Sequence, residues 1–275
     1  MVAEWAQRFA DPDVAFRASA ALLGVGQIVT SLEYLSIRRE FGRGGLYAWP
    51  VLRLARPRRA ARVARLRDAL FDRRGVEVLL VARLLLAATL LCLGAVPAVA
   101  TVAVTALAAV LLLFNARLPW GLEGADDVAV HTALGLAVFA VCRALGAPSL
   151  GLWYVAAYAA LAYVTAGVVK LAEPLWRSGV ALDWVMNLES FGAAPAAAFL
   201  APRPRLRLAL AWIVMLAEVA APLAILLPAG GIATALAAGL AFHLGLAACM
   251  GLNTFVWAFA ATYPAVLHVW AVLHA

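Results

Sequence analysis

Charge is scarce in this sequence: 13% of its 275 residues are Asp, Glu, Lys or Arg and 66% are hydrophobic, against about 25% charged and about 45–50% apolar in an ordinary soluble domain. With a mean hydropathy of +0.93, that scarcity excludes a soluble globular protein. Lysine is scarcer still: of the 22 basic residues, only Lys170 is not arginine. Cysteine is nearly absent. Cys92, Cys142 and Cys249 stand singly in apolar runs, without the paired spacing of a zinc site, a thiol redox couple or a disulfide framework. They are expected to be small buried hydrophobes. A cleavable signal peptide is not expected, because the first thirteen residues are mixed polar and acidic, with no basic stretch ahead of a short apolar core.

What is abundant is long apolar helix. A membrane helix needs about 20 apolar residues, so this length holds at most eight or nine spans and leaves no room for a second globular domain. Suitable runs occupy 14–37, 76–95, 97–116, 128–146, 150–171, 206–228, 230–250 and 253–273. The expected fold is all-α, a polytopic membrane helical bundle of about eight transmembrane helices forming a single domain over 1–275. The second and third runs are divided only around Gly94 to Pro97, and the sixth and seventh only by Pro228, Gly230 and Gly231, so both pairs are expected to form tight hairpins. Segment 172–205 is too polar to span.

The positive charge is concentrated in one loop. Residues 38–75 hold twelve arginines against Glu40, Asp68 and Asp72, so the remainder of the chain is slightly acidic. A basic block beside membrane spans is what the positive-inside bias produces, and nucleic-acid binding is not expected. Placing the loop in the cytoplasm of a bacterial cell puts the N-terminus outside, and Arg117, Arg177, Arg203 and Arg205 on the cytoplasmic side. Within the loop Val63, Leu66, Leu70 and Phe71 recur at helical spacing among Arg62, Arg65 and Arg67. That pattern predicts a basic amphipathic helix along the headgroups, with anionic lipid as its contact.

Ionisable residues inside a span cost about 2.5–3.5 kcal/mol each at the helix centre and usually face a protein interior or a wet cavity. Here they are Arg17 and Glu33 in the first span, Arg83 in the second, His131 heading the fourth, Lys170 at the foot of the fifth, Glu218 in the sixth and His243 in the seventh. Lys170 can snorkel to the interface near Glu173. Against that, every other such position uses Arg, and only an amine is readily deprotonated when desolvated. Glu218, one turn before Pro222, is either a protonated carboxyl bonded to a neighbouring helix, a partner of Lys170 or a proton carrier. His243 is either an interhelical hydrogen bond or a functional imidazole. Asp126 and Asp127 ahead of His131 suit either helix capping or a carboxylate–imidazole site. Trp153, Tyr154, Tyr158 and Tyr163 form either an interfacial belt or a stacking wall for an aromatic quinone. Scattered histidines argue against haem, and unpaired cysteines against a thiol oxidoreductase that reduces quinones.

Three blocks resemble one family. Tyr163-Val164-Thr165-Ala166-Gly167-Val168-Val169-Lys170-Leu171, followed by Trp176 and Ser178-Gly179, is similar to the Tyr-x-x-x-Gly-x-x-Lys-Leu...Trp...Gly stretch of the vitamin K-dependent gamma-carboxylase-like, or horizontally transferred transmembrane (HTTM), family. Glu218-Val219-Ala220-Ala221-Pro222-Leu223, then Phe242-His243, Met250-Gly251 and Phe255, resembles that family's Glu-x-x-x-Pro-Leu...His...Gly-x-x-x-Phe signature. Gly124-Ala125-Asp126-Asp127 ahead of His131 is a weaker likeness, standing where carboxylases carry an Asn/His cluster.

The resemblance implies an enzyme that oxidises a quinol such as vitamin K hydroquinone, using oxygen and carbon dioxide to modify a peptide. Lys170 would be the base, His131 and His243 polarising or proton-handling groups, and Glu218 their carboxyl partner. Tyr158, Tyr163, Phe242 and Trp176 would line the cofactor. A large extramembrane, peptide-binding part like that of the carboxylases is not expected. The short bacterial type instead resembles the membrane component of peptide-toxin maturation systems, which implies a small partner protein. The alternative is a membrane scaffold for maturation or immunity of a secreted peptide, with Lys170 and Glu218 as a structural ion pair.

Overall fold

A computed structural model describes residues 2–42, 44–55, 61–118, 123–189 and 192–275. The described residues are helical and contain no strand. Short helix α1 (Val2–Gln7) precedes the first span, α2 (Pro12–Ser36); α3 (Trp49–Leu52) and α4 (Ala61–Phe71) belong to the Arg-rich loop. Then come α5 (Arg73–Leu93), α6 (Pro97–Arg117), α7 (Gly124–Ala144) and α8 (Ser149–Ala172). Three short helices, α9 (Pro174–Arg177), α10 (Val180–Met186) and α11 (Ala194–Leu200), fill the segment too polar to span. The chain ends with α12 (Pro204–Ala220), a 3-10 helix (Ala221–Leu226), α13 (Ala229–Met250), α14 (Asn253–Ala260) and α15 (Tyr263–Leu273).

Among the described residues, eight helices are long and apolar enough to cross a membrane, the sixth being α12 with its 3-10 extension and the eighth α14 with α15. This is an all-α, multi-pass bundle. Local signals set the helix starts: Asp11 Oδ1 accepts the Asp13 amide at 2.8 Å and Asp72 Oδ1 the Gly75 amide at 2.7 Å, each satisfying an N–H that the first turn leaves unbonded.

Backbones approach closely where glycines face each other, as small residues allow in membrane bundles. A Cβ on Gly151 would lie 2.4 Å from the Gly135 carbonyl oxygen, so α7 and α8 meet backbone to backbone. The centre of the bundle is the last span, 72% buried, with α2, 56% buried; α8 and α12 are 17% buried and α13 only 11%. One side of the molecule, formed by α8, α12 and α13, is therefore thinly covered by its own chain.

Three sequence expectations need revision. The tight connection at Gly94–Pro97 does pack α5 against α6, but the one at Pro228–Gly231 does not pack α12 along α13: α12 lies on α8, α13 lies on α14, and the two splay apart. Pro222 has no N–H for the Glu218 carbonyl, and the α-helix gives way there to a 3-10 segment that redirects the chain. The cysteines are not buried, since Cys92 and Cys249 are exposed and Cys142 half-exposed; they occupy outward positions of the bundle. The last span is also broken at Ala261–Thr262, because Pro264 cannot bond the Ala260 carbonyl.

The Arg-rich loop is anchored rather than loose. Arg117, fully buried at the end of α6, donates to the Tyr47 carbonyl at 2.7 Å and the Phe71 carbonyl at 3.2 Å and lies over the Phe41 ring. The expected amphipathic helix is α4, where Leu70 and Phe71 pack on Trp49, Leu52 and Leu118 while Leu66 is exposed. Arg43, Arg56, Arg58 and Arg59 lie outside the described residues, as do the side chains of Arg62 and Val63.

Candidate functional site

Tyr163, Gly167 and Lys170 sit at i, i+4 and i+7 of α8, which puts them on one face. A Cβ on Gly167 would be 2.7 Å from Val219 Cγ2 and 3.0 Å from Glu218 Cβ, so this glycine lets α12 come against α8. The approach brings Lys170 Nζ to 2.7 Å from each carboxylate oxygen of Glu218. Nζ also lies 3.4 Å from the Ala166 carbonyl oxygen, one turn back along the helix. The lysine therefore points inward, away from the helix end, and does not snorkel. The end itself is capped by Arg177, whose guanidinium donates to the Leu171 carbonyl at 2.8 Å. Trp176 covers the ammonium, its ring centre 5.6 Å away, a cation–π distance.

Two turns toward the other end of the same stripe, the Tyr163 hydroxyl and His243 Nε2 are 2.9 Å apart. That bond ties α8 to α13. His243, 2% exposed, stacks on Phe259 at 4.3 Å between ring centres and lies near Phe242 and Phe255. Its Nδ1 is buried without a hydrogen-bond partner. The Tyr163 and Tyr263 hydroxyls converge on Gly239, where a Cβ would stand 2.7 Å from the Tyr263 oxygen. Lys170 with Glu218 thus joins α8 to α12 and Tyr163 with His243 joins α8 to α13, and both links lie on the thinly covered side of the bundle.

His131 does not join this group. Its Nδ1 is 2.5 Å from the Tyr154 hydroxyl and its ring stacks on Tyr158 at 3.7 Å. Tyr158 precedes Lys170 by twelve residues of α8, about 18 Å along the axis. The Asp pair ahead of His131 serves the helix start and a neighbouring helix: Asp126 Oδ2 accepts the Glu123 amide at 2.9 Å, and Asp127 Oδ1 accepts from Asn115 Nδ2 at 3.1 Å. Sequence reasoning missed Phe259, Tyr263 and Gly239. The signal for Phe259 was its i, i+4 spacing from Phe255; Tyr263 was hidden by reading one straight helix through the break at Thr262.

Just ahead of α7, Glu123 accepts the Thr254 hydroxyl at 2.8 Å. Burial raises its carboxyl above the ordinary carboxylate range, opposed by the Thr254 bond. The folded state thus holds this proton more tightly than the unfolded one, so its contribution to stability falls as pH rises above the usual carboxylate value. Glu123→Gln keeps an acceptor for Thr254 and removes the titration. The melting temperature of the variant is expected to drop less than that of the wild type between mildly acidic and neutral pH, as measured by thermal scans in detergent.

No protein-family model matches the chain, and neither a curated protein nor a solved structure does. A functional reading therefore rests on the chemistry of this site rather than on fold, which does not by itself specify activity.

Proposed function

We propose that this chain is an integral membrane enzyme resembling the vitamin K-dependent carboxylases, one that oxidises a quinol-type cofactor to modify a peptide. The observation that carries the reading is the pairing of the only lysine with Glu218, two helical turns along α8 from a buried, half-bonded His243. The side chains gathered here are of the kinds that would hold a flat hydroxylated ring. Phe242, Phe255, Phe259 and Tyr163 offer aromatic surface, and His243 Nδ1 has an unused valence for a hydroxyl.

On reaction with oxygen, such a quinol supplies a base strong enough to ionise a peptide carbon acid, to which carbon dioxide adds. The protein's part is proton handling. Shifting the shared proton onto Glu218 leaves Nζ with a lone pair, which then accepts a proton from a cofactor hydroxyl. Glu218 holds the first proton, Trp176 shields the amine from water, and the Tyr163–His243 unit orients the ring. The splay of α12 from α13, on the thinly covered side of the bundle, suits a lipid-soluble cofactor arriving from the bilayer.

In this proposal the membrane is a bacterial inner membrane with the Arg-rich loop cytoplasmic and touching anionic lipid, and a small partner protein presents the peptide. The test is oxygen-dependent oxidation of a reduced naphthoquinone by the purified protein in lipid nanodiscs, with mass spectrometry of co-expressed peptides from neighbouring genes for the gain of a carboxyl group or an oxygen. Absence of both, with folded protein and several quinols, overturns it. A second reading has one observation in its favour: both Glu218 oxygens are already satisfied by Nζ. The pair is then structural, and the protein a scaffold for peptide maturation or immunity.

A further inference from the structure

The bundle has a second polar interior on the opposite side of α14 from His243. Arg83 of α5 is 3% exposed and Gln27 of α2 is 5% exposed, and both retain an unpartnered atom, Arg83 Nε and Gln27 Oε1. Arg83 lies over the rings of Phe114 and Tyr34 at 5.3 and 5.8 Å, which helps hold a cation but leaves its N–H unsatisfied. Two small chambers meet here, sharing Gln27, Asp126 and Ala129 in their walls. One continues to Thr254, the other to Arg83, Tyr34 and Asn115.

We propose that the two chambers bind a string of internal water molecules that joins Arg83 Nε and Gln27 Oε1 to Asp126 and Thr254. Size and chemistry select this ligand. Each chamber has about 10 Å³ of room for the centre of a water-sized sphere, roughly what one water needs and too little for bicarbonate or a carboxylate. An orphaned donor on one side and an orphaned acceptor on the other require a ligand that both donates and accepts. An anion cannot serve Gln27 Oε1, and a cation cannot serve Arg83. Each chamber also offers the two to four polar partners that a buried water requires. Asp126 contributes through Oδ1, since Oδ2 takes the Glu123 amide, and Thr254 through its lone pairs, since its proton goes to Glu123. Thr254 lies toward the end of the bundle that carries the Arg-rich loop, where Glu123–Thr254 and Glu33–Asn253 are paired.

X-ray radiolysis generates hydroxyl radicals from bound water and oxidises adjacent side chains even when they are buried. Applied to the whole protein in nanodiscs, it is expected to oxidise Leu23 and Phe114, which line the chambers, several-fold faster than Leu136 and Phe139. The latter are just as buried in the apolar core and line neither chamber. Gln27→Leu is expected to lower the rates at Leu23 and Phe114 without changing those of the controls. Equal rates at all four residues in the wild-type protein overturn the proposal, whatever the stability of the variant. Rates at Leu23 and Phe114 that Gln27→Leu leaves unchanged in folded protein overturn the bridging role of Gln27.

Discussion

Lys170→Arg is expected to leave a folded protein whose quinol oxidation falls by about 100-fold or more, the lower bound of what a positioned general base contributes. The substitution keeps the positive charge beside Glu218 and offers a planar fork that can bond both carboxylate oxygens, so the interhelical link between α8 and α12 survives. What it removes is the ability to give up a proton, since a guanidinium stays charged in proteins. Thermal scans and nanodisc turnover measured on the same preparation separate the two properties. Unchanged melting with lost turnover supports the base; retained turnover sinks it and leaves the structural ion pair. Lys170→Gln is a less informative variant. It strands Glu218, only 9% exposed, and removing one partner of a buried pair costs about 3–5 kcal/mol, so loss of activity and loss of fold coincide.

Gly167→Ala is expected to damage the site without touching any chemical group. The added Cβ would stand 2.7 Å from Val219 Cγ2 and 2.9 Å from the Val219 backbone nitrogen. A side chain can rotate away but a helix backbone cannot, so α12 has to move off α8 and take Glu218 with it. Overpacking of this kind costs about 1–3 kcal/mol, partly offset by the roughly 1 kcal/mol that alanine gains over glycine in a helix. A lowered melting temperature and turnover reduced well beyond that of a surface variant are the expected readouts. Gly245→Ala is the control, because nothing lies within 4 Å of its Cβ position. It should be neutral or slightly stabilising. Equal behaviour of the two variants would mean that the contact at Gly167 does not set the distance between Lys170 and Glu218.

Much of the architecture was legible along the chain. The eight apolar runs match the eight spans to within a few residues, because enough hydrophobic residues in a row and satisfied backbone bonds are local properties. The short helices α9 to α11 stand where polarity ruled out a span. The aromatic wall around His243 was only partly visible, since Phe255 and Phe259 reach it from another helix and Tyr263 from beyond a break. Arg83 and Arg117 carried no sign of their separate roles. One lines a polar chamber and the other pins a loop, and only the neighbours distinguish them.

The sequence by itself determined that this is a bundle of eight apolar helices with one amine among its cations, since composition and hydropathy are sums over neighbouring residues. Only the tertiary structure decided that this amine meets Glu218, 48 residues away, while His131 goes to Tyr158. The physical reason is that helix rotation and close approach are set by packing, here by Gly167 against Val219 and by the 3-10 segment at Pro222 that turns the chain so that α13 does not pack along α12.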